Sequence, residues 1–203
     1  QPFSRRIIPA LDGFMDHTGP QMRFPFNVLF ANRWLFGGII LNQYENIPEA
    51  NAMIRTTTAC TILRGGVKEN VIPAKVTAII NVRLLPGDRS DDVFRKIKEI
   101  VHDERVKVSV TGHLNEASRN SSVDAEGFRR ISETVQHVFP DAVVAPSISI
   151  GATDSRHFAD LADDIYRFLP IRMDRSILAG MHGKNELISN EAFMETIAFY
   201  KRL

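Results

Sequence analysis

The stretch from Gly65 to Gly87 constrains the fold of this chain more than any other. An apolar, β-branched run, Ile54 to Leu63, leads into Gly65-Gly66, where glycine tolerates backbone angles that other residues avoid. Pro73 closes the turn. From Ala74 onward, Val76, Ala78 and Ile80 alternate with Lys75, Thr77 and Asn81, which is the period of a strand. Pro86-Gly87-Asp88 ends it. The stretch reads as two neighbouring antiparallel strands, with Asn70 in the connection and Arg83 near the end of the second strand. Pattern alone leaves both side chains in solvent.

The flanks extend this frame. Ahead of it, Phe26, Leu29, Phe30, Arg33, Trp34 and Ile40 mark one or two amphipathic helices in a lead-in rich in Phe, Pro and Met. An aromatic stripe of that kind serves a core or an interface. Behind the strands, Ser90-Asp91-Asp92 predicts a helix cap with acid in the first turn. Val93, Phe94, Ile97, Ile100 and Val101 give the helical stripe. Val106, Val108 and Val110 alternate with Lys107, Ser109 and Thr111, so a third strand is expected. Strand, strand, helix, strand behind a helical lead-in predicts a small α+β sandwich.

Glu116 to Ser122 is polar and reads as a linker. Asp124 is expected to cap a helix with the stripe Phe128, Ile131, Val135, Val138 and Phe139. A short strand at Ala142 to Ala145 follows, then a glycine turn at Gly151-Ala152-Thr153-Asp154. Ser155 to Leu161 predicts a short helix and Ile165 to Leu169 another strand. A loop carries Gly180-Met181-His182-Gly183-Lys184-Asn185-Glu186. Ser189 to Leu203 closes the chain as a helix with Glu191 early and Lys201 and Arg202 late, as the helix dipole favours. Alternating helices and strands make this half α/β.

Composition narrows the function classes. Of 203 residues, 44% are hydrophobic and 24% charged, with a net charge of +1, so no global field favours nucleic acid or an acidic membrane. Basic stripes with interleaved aromatics, as a nucleic-acid binder needs, do not occur. The single cysteine, Cys60, is expected in a buried strand; it excludes a disulfide framework and a Cys-rich zinc finger. The longest apolar run, Val28 to Leu41, is broken by Asn32 and Arg33 and is too short to span a bilayer. A start at Gln1 without a signal-like segment gives the expectation of a piece of a longer protein.

Few residues offer chemistry by themselves. Asp154, Ser155 and His157 lie close in sequence, but a triad is a matter of geometry, adjacent positions rarely face one another, and no nucleophile-elbow pattern surrounds Ser155. His182 sits in a loop between glycines, where a histidine serves as a ligand or is simply solvated. No set of His, Cys, Asp and Glu has the spacing of a complete metal site.

Three segments together resemble the C-terminal part of the co-catalytic zinc hydrolases that include aminoacylase, carboxypeptidase S and glutamate carboxypeptidase, the M20 metallopeptidases. Gly65-Gly66-Val67 through Asn70-Val71-Ile72-Pro73, with Arg83 and Pro86-Gly87, is similar to the family's lid-domain signature. Gly151-Ala152-Thr153-Asp154-Ser155-Arg156-His157-Phe158 resembles its second turn, and Met181-His182-Gly183-Lys184-Asn185-Glu186 its terminal metal-ligand motif. Order and separation match over nearly the whole chain. Tyr166-Arg167-Phe168-Leu169-Pro170 and the long aromatic lead-in lean toward the carboxypeptidase S-like branch.

The resemblance implies an α+β lid of two-layer sandwich type, which forms dimers, followed by the α/β C-terminal piece of a catalytic domain that carries two zinc ions. Residues 1–116 would be the lid (lead-in 1–52, strand-strand-helix-strand 53–113) and 117–203 the catalytic portion. His182 would be a metal ligand through a neutral ring nitrogen. Asn70 and Arg83 would hold a free substrate carboxylate together, in the neighbouring subunit's active site. Gly151 would offer a backbone N–H and Thr153 a hydroxyl; Asp154 and Arg156 would shape the loop as an ion pair. The family's remaining ligands and its glutamate base fall upstream, so no catalytic residue is expected here and the fragment alone is expected to be inactive. The substrate class implied is a small peptide or an N-acyl amino acid, with a homodimer through the lid, no nucleic acid and no membrane. The alternative is a non-catalytic dimerisation or binding module.

Overall fold

The aromatic lead-in folds into four helices: α1 Pro9–Thr18, α2 Phe26–Ala31, α3 Arg33–Glu45 and α4 Pro48–Asn51. This computed structural model describes every residue except Gln1, His113, His182 and Asn185, and the side chains of Arg175, Ser176 and Ala179 apart. Proline stands in the first turn of α1, where its missing N–H costs nothing. Ile8, Leu11 and Met15 recur at helical spacing and are buried against Phe30, Ile40, Ile54 and Leu85. The last two flank the strand pair, so the lead-in forms its core around the open end of the strands.

Arg33, which interrupts the apolar run, clasps two helices. Its Nε donates to Asp12 Oδ1 and its Nη2 to Asp16 Oδ1, both at 2.6 Å. Partial burial opposes the charge, but the hydrogen bonds to Asp16 and Asp12 outweigh it and hold the guanidinium above its usual range. A second polar knot closes the strand ends. The Thr56 hydroxyl, fully buried, donates to the Asp88 carboxylate and accepts from the Leu85 backbone N–H at 2.9 Å. Arg6 Nη2 pairs with the other Asp88 oxygen at 2.7 Å.

The expected strand pair forms. β1 Thr57–Gly65 and β2 Val76–Arg83 are antiparallel, in register from Thr57 opposite Arg83 to Gly65 opposite Val76, with a bulge between Cys60 and Ile62. Gly66 has φ 69°, a left-handed conformation that suits glycine at the exit from β1. Cys60 is exposed rather than buried, because neither face of the pair is covered: Leu63 and Val76 are exposed on one face and Ile62 on the other. The expected third strand does not form. Residues 106–110 have no ladder partner among the described residues, and neither do 142–145 or 165–169. Alternation favours extended backbone, but a strand exists only once another backbone pairs with it. Two strands and helices make the described structure α+β.

α5 Ser90–Val101 follows, and its capping differs from the expectation. Ser90 is the first helical residue, and its hydroxyl and N–H bind the Glu116 carboxylate, the N–H at 3.2–3.3 Å. A residue of the presumed linker thus satisfies the helix start. The Ser90 hydroxyl and N–H hold the Glu116 carboxyl below the usual carboxylate range. α5 ends at His102 with φ 41°, a left-handed terminus occupied by a side-chain-bearing residue.

α6 Glu126–Val138, α7 Arg175–Gly180 and α8 Asn190–Arg202 complete the chain. The stripe of α6 meets α8 in a second core of Val135, Phe139 and Phe199. Ser189 caps α8, accepting from the Ala192 N–H at 3.1 Å. α6 starts from Ala125 without a side-chain cap, so Asp124 does not serve as one. The expected helix at 155–161 is a 3-10 turn, Asp154–Phe158. No helix among the described residues is long and apolar enough to cross a membrane.

Candidate functional site

Arg83 closes β2 and reaches across the molecule. Its Nη1 donates to the carbonyl of Ile150 at 2.8 Å, a contact spanning 67 residues. Ile148, two residues earlier, packs against the first core, which fixes where this segment runs. Two of the three motif segments therefore meet: the strand end bearing Arg83 and the turn beginning at Gly151. A Cβ built on Gly151 would find nothing within 4 Å, so its backbone faces open space and a ligand can approach it.

The turn is stiffened from its other side. Thr153 Oγ1 and Ser155 Oγ lie 2.6 Å apart. Arg167 Nε donates to Ser155 Oγ at 2.6 Å and to Thr153 Oγ1 at 3.3 Å, and Arg167 Nη2 donates to Ser118 Oγ at 3.0 Å. Guanidinium groups thus stand on both sides of residues 150–155. The sequence reading gave Arg167 no role of its own. The available signal was a cation inside the otherwise apolar run 165–170.

Asn70 is not brought to this place. It lies in the exposed connection after β1, at the opposite end of the hairpin from Arg83. An eight-residue strand is roughly 20–25 Å long at about 3.3 Å per residue. Val67 is 100% and Ile72 94% exposed, so the connection projects rather than folding back. The two residues cannot converge within one chain, and Arg83 contacts its own chain's turn. Asp154 and Arg156 form no ion pair among the described residues; Arg156 Nε instead meets His157 Nε2 at 3.3 Å. Ser155 is engaged by Thr153 and Arg167, which leaves the Asp-Ser-His reading without geometry. His182 lies outside the described residues. Among these, no group of three or more His, Cys, Asp or Glu is placed to hold a metal ion.

Comparison with known proteins places this architecture. The family model for the peptidase dimerisation domain matches residues 6–109, and the chain belongs to that M20 peptidase family. Its relatives point to the carboxypeptidase S-like branch. It is 37% identical over 93% of its length to a probable carboxypeptidase S-like 2 of Dictyostelium discoideum, and covers 36% of that protein. It is 42% identical over 87% of its length to the human N-fatty-acyl-amino acid synthase/hydrolase PM20D1, again covering 36%. To carboxypeptidase S of Saccharomyces cerevisiae it is 25% identical over 79% of its length, covering 33%. The chain thus spans little more than a third of the curated relatives it matches. No solved structure matches it.

Proposed function

We propose that this chain is the lid and the C-terminal catalytic portion of a dinuclear zinc amidohydrolase that cleaves peptide or N-acyl amino acid amide bonds next to a free carboxylate. One observation carries the reading: Arg83 of the lid strand rests on the carbonyl of Ile150, at the mouth of the Gly151–Thr153 turn. A guanidinium fork there suits a carboxylate, with the Gly151 N–H and the Thr153 hydroxyl beside it. The names of the relatives, a carboxypeptidase and an N-fatty-acyl-amino acid synthase/hydrolase, fit a substrate that ends in a carboxylate. Zinc is the metal that M20 peptidases generally use. The described residues do not form a site for it; His182, outside them, would supply one ligand, while Arg83, Asn70, Gly151 and Thr153 would serve recognition.

In this reading residues 1–116 are the lid and 117–203 the catalytic portion, and the α+β lid completes a two-layer sandwich in the whole protein. The lid pairs with a second copy. Its hairpin exposes Leu63 at 72% and Val76 at 63%, apolar surface that suits a second copy. In this reading, which differs from the expectation that both residues serve the neighbouring subunit, Arg83 acts in its own chain and Asn70 arrives from the partner; the contact from Arg83 to Ile150 supports the first half.

The complete parent protein tests this. Arg83→Ala should lower kcat/KM on an N-acyl amino acid by about 2–3 kcal/mol, the scale of a charged hydrogen bond, and Arg83→Lys should recover part of that. The 203-residue chain alone should show neither turnover nor two bound zinc ions. A parent whose kcat/KM is unchanged by Arg83→Ala, or that hydrolyses no amide, would favour the non-catalytic dimerisation module instead.

A further inference from the structure

Arg167 has hydroxyl oxygens as its partners and, among the described residues, no carboxylate within ion-pair distance. It shares a small surface pocket with Ser118, Arg119, Ser155 and Asp163. Arg119 also lacks a carboxylate partner there; its Nη2 donates to the Ala159 carbonyl at 2.7 Å. Several donor hydrogens in and beside this pocket have no acceptor among the described residues. Arg167 has five N–H donors, and Nη1 reaches no acceptor among the described residues. Ser118 Oγ accepts from Arg167 and keeps its own hydrogen. Thr153 and Ser155, 2.6 Å apart, need only one of their two hydroxyl hydrogens for each other. Two cations against the single carboxylate of Asp163 leave the wall positive.

A donor-rich, positive and small pocket selects an oxyanion. We propose that this pocket binds the oxyanion head group of a small molecule, a carboxylate or a phosphate, on Arg167 and Arg119 with the hydroxyls of Ser118 and Ser155. The seat adjoins the one assigned to Arg83 at Thr153, but it is built on different cations and does not rest on that assignment. It also gives Arg167 a purpose that bracing a turn does not require, since a neutral side chain would hold hydroxyls without placing an unpaired cation beside them.

The 203-residue chain is the material for the test. Inorganic phosphate and N-acetylglycine are titrated separately at constant ionic strength, with the backbone amide resonances followed by NMR. Saturable shifts are expected at residues 118–121, 153–155 and 167, with a midpoint of about 1–10 mM for one head group on a partly exposed site. Arg167→Gln should weaken binding roughly tenfold or more, Arg167→Lys should weaken it less, and Arg105→Gln, at a residue that pairs with Asp103 and does not line the pocket, should leave it unchanged. Saturation by phosphate alone identifies a free or esterified phosphate as the source, and saturation by N-acetylglycine alone a substrate-type carboxylate. No saturable shift with either probe, or shifts that survive both Arg167 variants, overturns the proposal. Carboxylate shifts abolished by Arg83→Ala but not by Arg167→Gln also overturn it and leave the amidohydrolase reading standing. A parent without amidohydrolase activity leaves the phosphate result untouched.

Discussion

Replacing Gly127 by alanine should destabilise the second half of the chain, against the usual direction of a glycine-to-alanine change in a helix. Alanine is the better helix former by about 1 kcal/mol, and less near a helix start. Here, however, an added Cβ would lie 2.8 Å from Tyr166 Cε2 and 3.3 Å from Cδ2. The ring cannot simply swing away. Its hydroxyl donates to the Ser122 carbonyl at 2.5 Å, and the neighbouring Ile165 is held through both its N–H and its carbonyl by Ser121 Oγ. The ring also packs on Phe128 with centroids 6.0 Å apart. Relief of the clash therefore sacrifices a hydrogen bond of about 1 kcal/mol and an aromatic pair of about 0.5–1.5 kcal/mol. Against a helix gain of about 0.5–1 kcal/mol, the net loss is about 0.5–2 kcal/mol. Urea denaturation followed by circular dichroism measures it. In a Tyr166→Ala background the obstacle is gone, and the same Gly127→Ala change should turn neutral or stabilising, which makes the pair a double-mutant cycle. Gly127→Ala equal to or more stable than the parent chain with Tyr166 in place would refute the reasoning.

Thr56→Val should cost about 2–3 kcal/mol in the same denaturation assay, because it strips the buried Leu85 N–H of its acceptor and the Asp88 carboxylate of a donor while keeping the volume. An effect under about 0.5 kcal/mol would show that the knot is not what closes the strand ends. Glu116 has a folded-state pKa held below its unfolded value, so its contribution is present above the ordinary carboxylate range and is lost as pH falls through the depressed folded value. Stability of the parent chain measured from pH 7 down to pH 3 should fall more steeply than that of Glu116→Gln, and parallel curves would remove the carboxylate from the cap of α5. In the complete parent, Arg83→Ala should lower kcat/KM as given above, with the Lys variant between the two.

How much of this was legible depended on distance along the chain. α5 and α6 could be read because their apolar stripes are local, and α8 because acid stands at its start and base at its end, although the caps expected for α5 and α6 did not form. The hairpin was legible for the same reason, since its two strands are neighbours joined by glycine. Val106 to Val110 alternates as well as β2 does, yet pairs with nothing described, because alternation records a propensity and not the presence of a partner. Cys60 failed differently: burial of a strand needs a covering layer, and the sequence of the strand says nothing about that layer. The site was half legible. Arg83, Gly151 and Thr153 came from motif resemblance, but the contact from Arg83 to Ile150 joins segments 67 residues apart and only folding shows it. The same holds for the contact from Arg167 to Ser118, and for Asn70, which the hairpin register sets at the end opposite Arg83.

The central claim is that each carboxylate clamp takes Arg83 from its own chain and Asn70 from its partner. A mixed dimer of the complete parent, one subunit Arg83→Ala and the other Asn70→Ala, tests it most directly. If the clamp is shared in this way, the site in the Arg83→Ala subunit loses both residues, while the site in the Asn70→Ala subunit keeps its own Arg83 and receives an intact Asn70. The account predicts about half the activity of the unmodified dimer, with each homodimeric variant far lower. Residual activity no higher than that of the two homodimeric variants would mean that both residues come from the same chain, and would contradict it.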